Sequence, residues 1–286
     1  MHRKRPNRIH RLRQAAPAHH PLIRQEEILG QLYEHGGGAL FLNALTKGEL
    51  EEILRRTGIF DGCRKAGFEQ LEIGLDTTEP FKHVLRVSPP GRPDLTLAEL
   101  VLKTGTYSWQ EFGVHLENLN LLVVEWVLLQ NPLGAFVAGR PPLPGQKHPG
   151  LGIGANVVSF LIELAQRLRA DGIVEHPEYY HAAVMYSRTF RFPHPETEGI
   201  LMALQRDFAN LSFSHAAWAV HHGLVREGRK VVRWVPEEQV MALADGPLAE
   251  YFGSAPYSAA VQQAKDAHEY RLVRGRVPVI PGWDAA

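Results

Sequence analysis

Gly150, Gly152 and Gly154 alternate in the stretch HPGLGIGANVVSFLIELAQRL, and an amphipathic apolar run follows at once. Glycines in that pattern let successive backbone N–H groups line one concavity without Cβ atoms in the way. A helix that starts there adds the unpaired N–H groups of its first turn and the positive end of its dipole. The chemistry of such a junction is anion binding, with a pyrophosphate as its natural guest. The competing reading is a flexible lead-in to a helix that binds nothing.

A second candidate is Glu125, the one ionisable residue in LNLLVVEWVLLQ. A carboxylate buried in such apolar company has its charged form disfavoured, which raises its pKa toward that of a general base. The competing reading is a solvated edge position or an ion pair. The histidine count of 15 raises the question of a metal. His215 and His222 stand seven apart on one helical face with His221 beside them, but metal-binding helices favour i,i+4 pairs accompanied by an acid. His176, His181 and His194 lack ligand spacing, so no metal is expected. Cys63 is the single cysteine. It excludes a disulfide framework, points to a reducing cytoplasm, and reads as a buried thiol rather than a nucleophile.

A dinucleotide fold would need a strand, then GxGxxG, then a helix, with an acid closing the next strand. Glu175 closes GIVE as that acid would. Yet the third glycine is misplaced, and the preceding RPPLPGQKHP is no strand. That reading fails.

The elements that must hold these residues follow from periodicity. PLIRQEEILGQLYEH and TKGELEEILRRTG read as helices over about 22–57, with a bend at glycines 36–38. From 70 to 130 the period becomes extended: QLEIGLD, FKHVLRVSP, LTLAELVLK and the dense run around Glu125, joined by short turns. Short links argue for an antiparallel meander. A helix over 155–170, the strand GIVE and a helix in PEYYHAAVMYSRTF come next. A largely helical remainder follows, with strands in KVVRWVP and EYRLVRGRVPVI. A meander, then glycine turn, helix, strand and helix describe an α+β or α/β sandwich pattern.

With 44% hydrophobic and 22% charged residues in 286, the composition is that of a globular protein, and no apolar run is long enough to span a membrane. The formal charge is zero, but Arg3, Lys4, Arg5, Arg8, Arg11, Arg13 and Arg24 precede the first acid. Residues 1–21 are expected to be a mobile basic tail, solvated by default, with weak contacts to nucleic acid or anionic surfaces, or a transit-like leader, as the alternatives. Residues 22–286 are expected to form one unit.

The element order and the string HPGLGIGANVVSFLIELAQRLRADGI resemble the GNAT acyltransferase superfamily. There, a Gln/Arg-x-x-Gly-x-Gly/Ala turn grips the pyrophosphate of an acyl-coenzyme A. Gly152, Ile153 and Gly154 match its last three positions, Gly150 matches a glycine often found just before, and Pro149 departs from the Gln/Arg. HAAVMYSRTFRF is similar to a second family segment through Ala183, Met185 and Tyr186, whereas Phe190, Arg191 and Tyr180 depart from it. The resemblance covers about 70–192. It implies a GNAT-like fold, α+β, with a central mixed, mostly antiparallel sheet flanked by helices and with helical additions at both ends. It further implies transfer of an acyl group from acetyl-CoA or another acyl-CoA to a small-molecule or peptide amine. Gly150, Leu151, Gly152, Ile153, Gly154 and Ala155, with His148 beside them, are the expected cofactor contacts. Tyr186 would protonate the departing thiolate and Glu125 would be the base. The alternatives are a non-catalytic interaction or sensor protein of the same fold, and a basic-tailed nucleic-acid-associated protein.

Overall fold

A computed structural model of the chain describes residues 40–111, 114–243, 245–273 and 279–282. The basic tail, the expected helix at 22–35 and the triple glycine lie outside the described residues.

Thr46 opens α1 (Lys47–Arg56) with a reciprocal capping box, accepting from the Glu49 N–H while the Glu49 carboxylate accepts from the Thr46 N–H. Arg55 and Arg56 close the helix, where its dipole favours cations. Gly58, in the left-handed region at φ 78°, turns the chain into α2 (Ile59–Lys65). Strands β1 (Glu72–Glu79), β2 (Lys82–Ser88), β3 (Ala98–Glu111) and β4 (Val114–Leu129) then form the antiparallel meander, each beside the last. The β3–β4 hairpin extends further than the apolar patterning suggests.

After β4 come a proline-rich loop, α3 (Gly154–Arg167) and β5 (Gly172–Glu175). Strand β5 pairs parallel with β4, from Leu121 opposite Gly172 to Val124 opposite Glu175. A parallel neighbour requires a crossover, and α3 is that crossover. Helix α4 (Tyr180–Tyr186) is shorter than its sequence suggests, and α5 (Pro195–Asp207) and α6 (Phe213–His221) follow. Strands β6 (Val225–Glu227) and β7 (Lys230–Val232) make a small sheet with the terminal β9 (Arg271–Leu272), in the order β7-β6-β9. The sequence does not point to β8 (Gln239–Ala242), which pairs antiparallel with β5. It completes a six-stranded, open and mostly antiparallel sheet in the order β1-β2-β3-β4-β5-β8. Helices α7 (Pro247–Gly253) and α8 (Ala255–Ala267) close the described helical complement. The class is α+β.

Strand alternation divides the sheet's side chains between two cores. Leu85, Leu100, Leu102, Leu122, Val124 and Ile173 pack with Leu50, Ile53, Leu54, Val157, Phe160 and Leu164 of α1 and α3. Leu121, Val123, Val174 and Val240 face the other way, onto Leu248, Tyr251, Tyr257 and Val261 of α7 and α8. A third cluster joins α4, α5 and α6 to the small sheet through Tyr180, Phe192, Leu201, Leu204, Val220 and Val225. Each such side chain contributes roughly 1.5–3 kcal/mol on burial. Cys63 belongs to the first core, and burial pushes its thiol up to about 11, as expected of an inert cysteine.

Gly199 marks the closest approach of two helices. A Cβ there would stand 2.5 Å from Ala264 Cβ and 2.7 Å from the Val261 carbonyl oxygen on α8. Backbone cannot yield as a flexible side chain would. Gly199→Ala is therefore expected to destabilise the protein by roughly 1–3 kcal/mol despite the better helix propensity of alanine, read as a lower urea midpoint at unchanged slope.

Candidate functional site

The parallel ladder ends at Val124 and Glu175, but β4 runs on to Leu129. Those five further residues span about 17 Å at strand rise. The loop that follows returns to this strand end. The Asn131 N–H donates to the Pro149 carbonyl at 2.7 Å, and Gly150 lies against the Leu129 carbonyl.

Two residues then fix the glycine turn against α2. Ile153 is buried in the first core, directly over Gly62, where any Cβ would collide with its side chain. Asn156 donates from Nδ2 to the Thr57 carbonyl at 2.7 Å, over Gly58. Around these anchors Gly150, Gly152, Gly154 and Ala155 are exposed, with Gly152 at φ 74°. Helix α3 begins at Gly154 with no side-chain cap and no acid in its first turn. Nothing in the first turn therefore offsets its positive end. A cavity of about 340 Å³ adjoins the turn, lined by Gly58, Asp61, Gly62, Lys65, Leu151, Gly152, Ile153 and Asn156. Asp61 is paired with Arg64 at 2.8 Å. His148 is half-buried just ahead of the turn. A larger groove of about 790 Å³ beside Arg56, Ser159, Glu163 and Arg167 is wide open. Its arginines are held by Glu163 and Glu49, so it offers less to an anion than the smaller cavity does.

The residues expected to react are separated. Glu125 is the extra residue of a β-bulge: Leu102 faces Val124 and Val101 faces Trp126, leaving Glu125 unmatched. The bulge breaks the alternation on which burial of this carboxylate rests. Its side chain is 35% exposed and ion-paired with Lys103, which stands opposite Val123 on the side of the second core. The buried, isolated carboxylate expected from the apolar run is not found. Tyr186 packs against the first core instead, 5.8 Å from the Phe190 ring. Burial, with the Glu175 carboxylate adding to it, pushes its hydroxyl up to about 12, so it remains a proton donor at neutral pH.

Glu175 is the residue that sequence reasoning misses. It is 7% exposed, its Oε1 has no hydrogen-bond partner among the described residues, and burial alone pushes its carboxyl up to about 8. The signal is present in GIVE, an acid ending a β-branched strand, but that pattern reads only as a ribose ligand. Position and environment give this carboxylate, rather than Glu125, the tuning of a group that exchanges protons near neutrality.

Three histidines, His181, His221 and His222, stand beside the loop. Tyr179 stacks on His181 and packs near His221, and Trp218 stacks on His222. Trp218 donates to the Pro142 carbonyl at 2.9 Å, and the Tyr179 ring fills the space beside Gly145. This aromatic layer clamps the proline-rich segment leading to the glycine turn. His215 sits at the N-terminus of α6 with its Nδ1 2.7 Å from the Ser212 hydroxyl, apart from that clamp's stacking pairs. Among the described residues, no three His, Cys, Asp or Glu side chains are grouped to share a metal ion, and no helix is long and apolar enough to cross a membrane.

Comparison with known proteins finds no family model that matches this chain and no curated protein with a matching sequence. The acyltransferase resemblance therefore stands on the motifs and the element order alone.

Because the Glu175 carboxyl titrates higher in the folded chain (about 8) than its ordinary 4.5, ionising it opposes folding. Wild-type stability should fall between about pH 4.5 and 8 from this group, and Glu175→Gln should escape that loss. The melting temperature of the variant minus that of wild type should rise across the window and level off above it. The full effect is on the order of a few kcal/mol, because each pH unit of the window contributes about 1.36 kcal/mol. A difference independent of pH would refute the buried-acid assignment.

Proposed function

We propose that the chain is an acyl-CoA-dependent N-acyltransferase of GNAT-like architecture, acting on an amine. The observation that carries this reading is the uncapped helix start behind three exposed glycines. The glycines begin at Gly150, against the Leu129 end of β4, and that end is five strand residues, about 17 Å, past the level where the parallel ladder ends and where the bulge and Glu175 sit. An anion held at one end and a reacting group at the other call for a long, thin ligand, and the extended pantetheine arm of coenzyme A has that form. The sequence of meander, glycine turn, crossover helix and parallel strand supports the same reading.

In this reading the N–H groups at Gly152, Gly154 and Ala155 hold the pyrophosphate, with Lys65 lining the same cavity. His148 stands at the entrance to the turn. The pantetheine arm lies along the free stretch of β4, and the thioester reaches the level of the bulge. Attack by the amine nitrogen forms the C–N bond, the C–S bond breaks with its electron pair on sulfur, and the Tyr186 hydroxyl gives the thiolate its proton. Glu125 would serve as base only if its pair with Lys103 opened. Pro149 is the observation that favours a non-catalytic protein of the same fold, because its ring replaces a contact the resemblance assigns to Gln or Arg. Such a protein would bind coenzyme A without turnover.

Gly154→Val is the cleaner test of the cradle. Gly152 has a left-handed φ that strains any side chain, whereas a Cβ on Gly154 meets nothing within 4 Å. The variant is expected to fold and to lose at least about tenfold in coenzyme A affinity, some 1.4 kcal/mol, by isothermal titration. Undiminished affinity would end the pyrophosphate reading.

Tyr186→Phe keeps the ring and its packing. Turnover of acetyl-CoA with amine should fall on the order of 10²-fold while coenzyme A affinity stays constant, the pattern of a contact made in the transition state. A variant with full turnover would remove Tyr186 from the mechanism.

A further inference from the structure

Among the described residues, three buried side-chain atoms have no hydrogen-bond partner: Glu175 Oε1, Gln239 Oε1 and His181 Nδ1. Two of them belong to residues that face each other. Glu175 ends β5, Gln239 begins β8, and the two are opposite in the antiparallel ladder, so their side chains share one face of the sheet. They are 7% and 0% exposed. Gln239 Oε1 is an acceptor, Glu175 Oε1 is one in the ionised carboxylate, and the Gln239 amide group already donates to the Ala183 carbonyl at 3.4 Å. An unsatisfied buried polar atom costs about 1–3 kcal/mol, and native interiors leave few of them. Once the carboxyl ionises, these two facing residues present acceptors without a donor, which define a complementary ligand, a group that carries several N–H bonds on one nitrogen.

The position is equally specific. Val124 of β4 lies on the other side of Glu175, in the last pair of the parallel ladder and one residue before the bulge. In a sheet with parallel strands, ligands collect at the carboxyl ends of those strands. Among the described residues, no charged side chain acts on the Glu175 carboxyl, and the Tyr186 hydroxyl is the titratable group coupled to it.

We propose that Glu175 and Gln239 form the acceptor subsite for a primary amine, both orphan oxygens receiving its N–H groups and Glu175 taking the proton the nitrogen must lose. The subsite rests on the paired acceptors, and the step rests on the acyltransferase reading above. An N–H bond of the ammonium breaks and its proton passes to the Glu175 carboxylate. The freed lone pair forms the C–N bond to the thioester carbonyl carbon. The C–S bond breaks, sulfur takes the Tyr186 proton, and the phenolate recovers a proton from the nitrogen of the new amide. Glu175 then releases its proton to solvent, so one proton leaves for each ammonium acylated.

The test is carboxyl carbon NMR of the full-length protein labelled at glutamate, with the Glu175 resonance assigned by its absence in Glu175→Gln. Propylammonium chloride is the probe, and tetramethylammonium chloride, which has the charge but no N–H, is the control. Saturating propylammonium is expected to lower the apparent pKa of Glu175 by roughly one unit or more, because a bound cation favours the carboxylate. Tetramethylammonium should leave it in place. Gln239→Leu keeps the volume and removes one acceptor, and should weaken propylammonium binding about tenfold, in the range expected for losing a hydrogen bond to a charged group. An unmoved resonance, as from a carboxyl that only shares a proton with Gln239, overturns the subsite, and so does an equal response to both cations. A response to propylammonium in a protein that fails to bind acetyl-CoA keeps the subsite and removes the thioester step. Acetyl-CoA binding with an unmoved resonance removes the subsite alone.

Discussion

Four residue pairs of parallel ladder between β4 and β5 set the terms for everything around them. A parallel neighbour cannot be reached by a tight turn, so the chain must leave β4, cross one face as α3 and re-enter beside Leu121. That obligation places a helix N-terminus at the carboxyl end of β4. Because β5 stops at Glu175 while β4 continues, one flank of β4 is left without a strand partner among the described residues over the same interval. The open flank, the helix dipole and the terminal acid are consequences of one pairing.

The pieces that fix the glycine turn are mostly small and apolar. Ile153 over Gly62 and Asn156 over Gly58 require glycine on α2 and at its cap, since a Cβ at either position would meet the turn. The glycines of the turn itself serve a different end, leaving backbone donors uncovered. Behind the turn, Trp218 and Tyr179 hold the proline-rich segment by a ring N–H and by stacking. The histidines there act as flat surfaces, and burial drives His181 down to about 4 with His221 adding to the effect.

Much of this is legible in the amino-acid order, because local chemistry carries it. The meander, the capped helix at Thr46, the glycine turn with its helix, and the strand GIVE all follow from period and punctuation. What is not legible depends on register. Glu125 reads as buried in LNLLVVEWVLLQ because period-2 alternation assumes an unbroken ladder, and one bulged residue sends it to Lys103 instead. Strand β8, QVMA, has one β-branched residue where the equally short GIVE has two, and so does not announce itself, yet it is Gln239 on β8 that stands beside Glu175. Glu175 itself carries a visible signal, but only the partner strands reveal that it is enclosed and unpaired. The expected tail and its nucleic-acid contact concern residues outside those described.

The proposed reading of the glycine turn as an anion cradle stands or falls on what the turn binds, and backbone amide NMR addresses it directly. Coenzyme A titrated into nitrogen-15-labelled protein should move the amides of Gly152, Gly154 and Ala155 furthest, together with those along the free stretch of β4. Amides of α5 and α8, which pack away from the turn, should stay in place. Perturbations absent from the turn, or confined to the groove beside Arg56 and Arg167, would contradict the cradle.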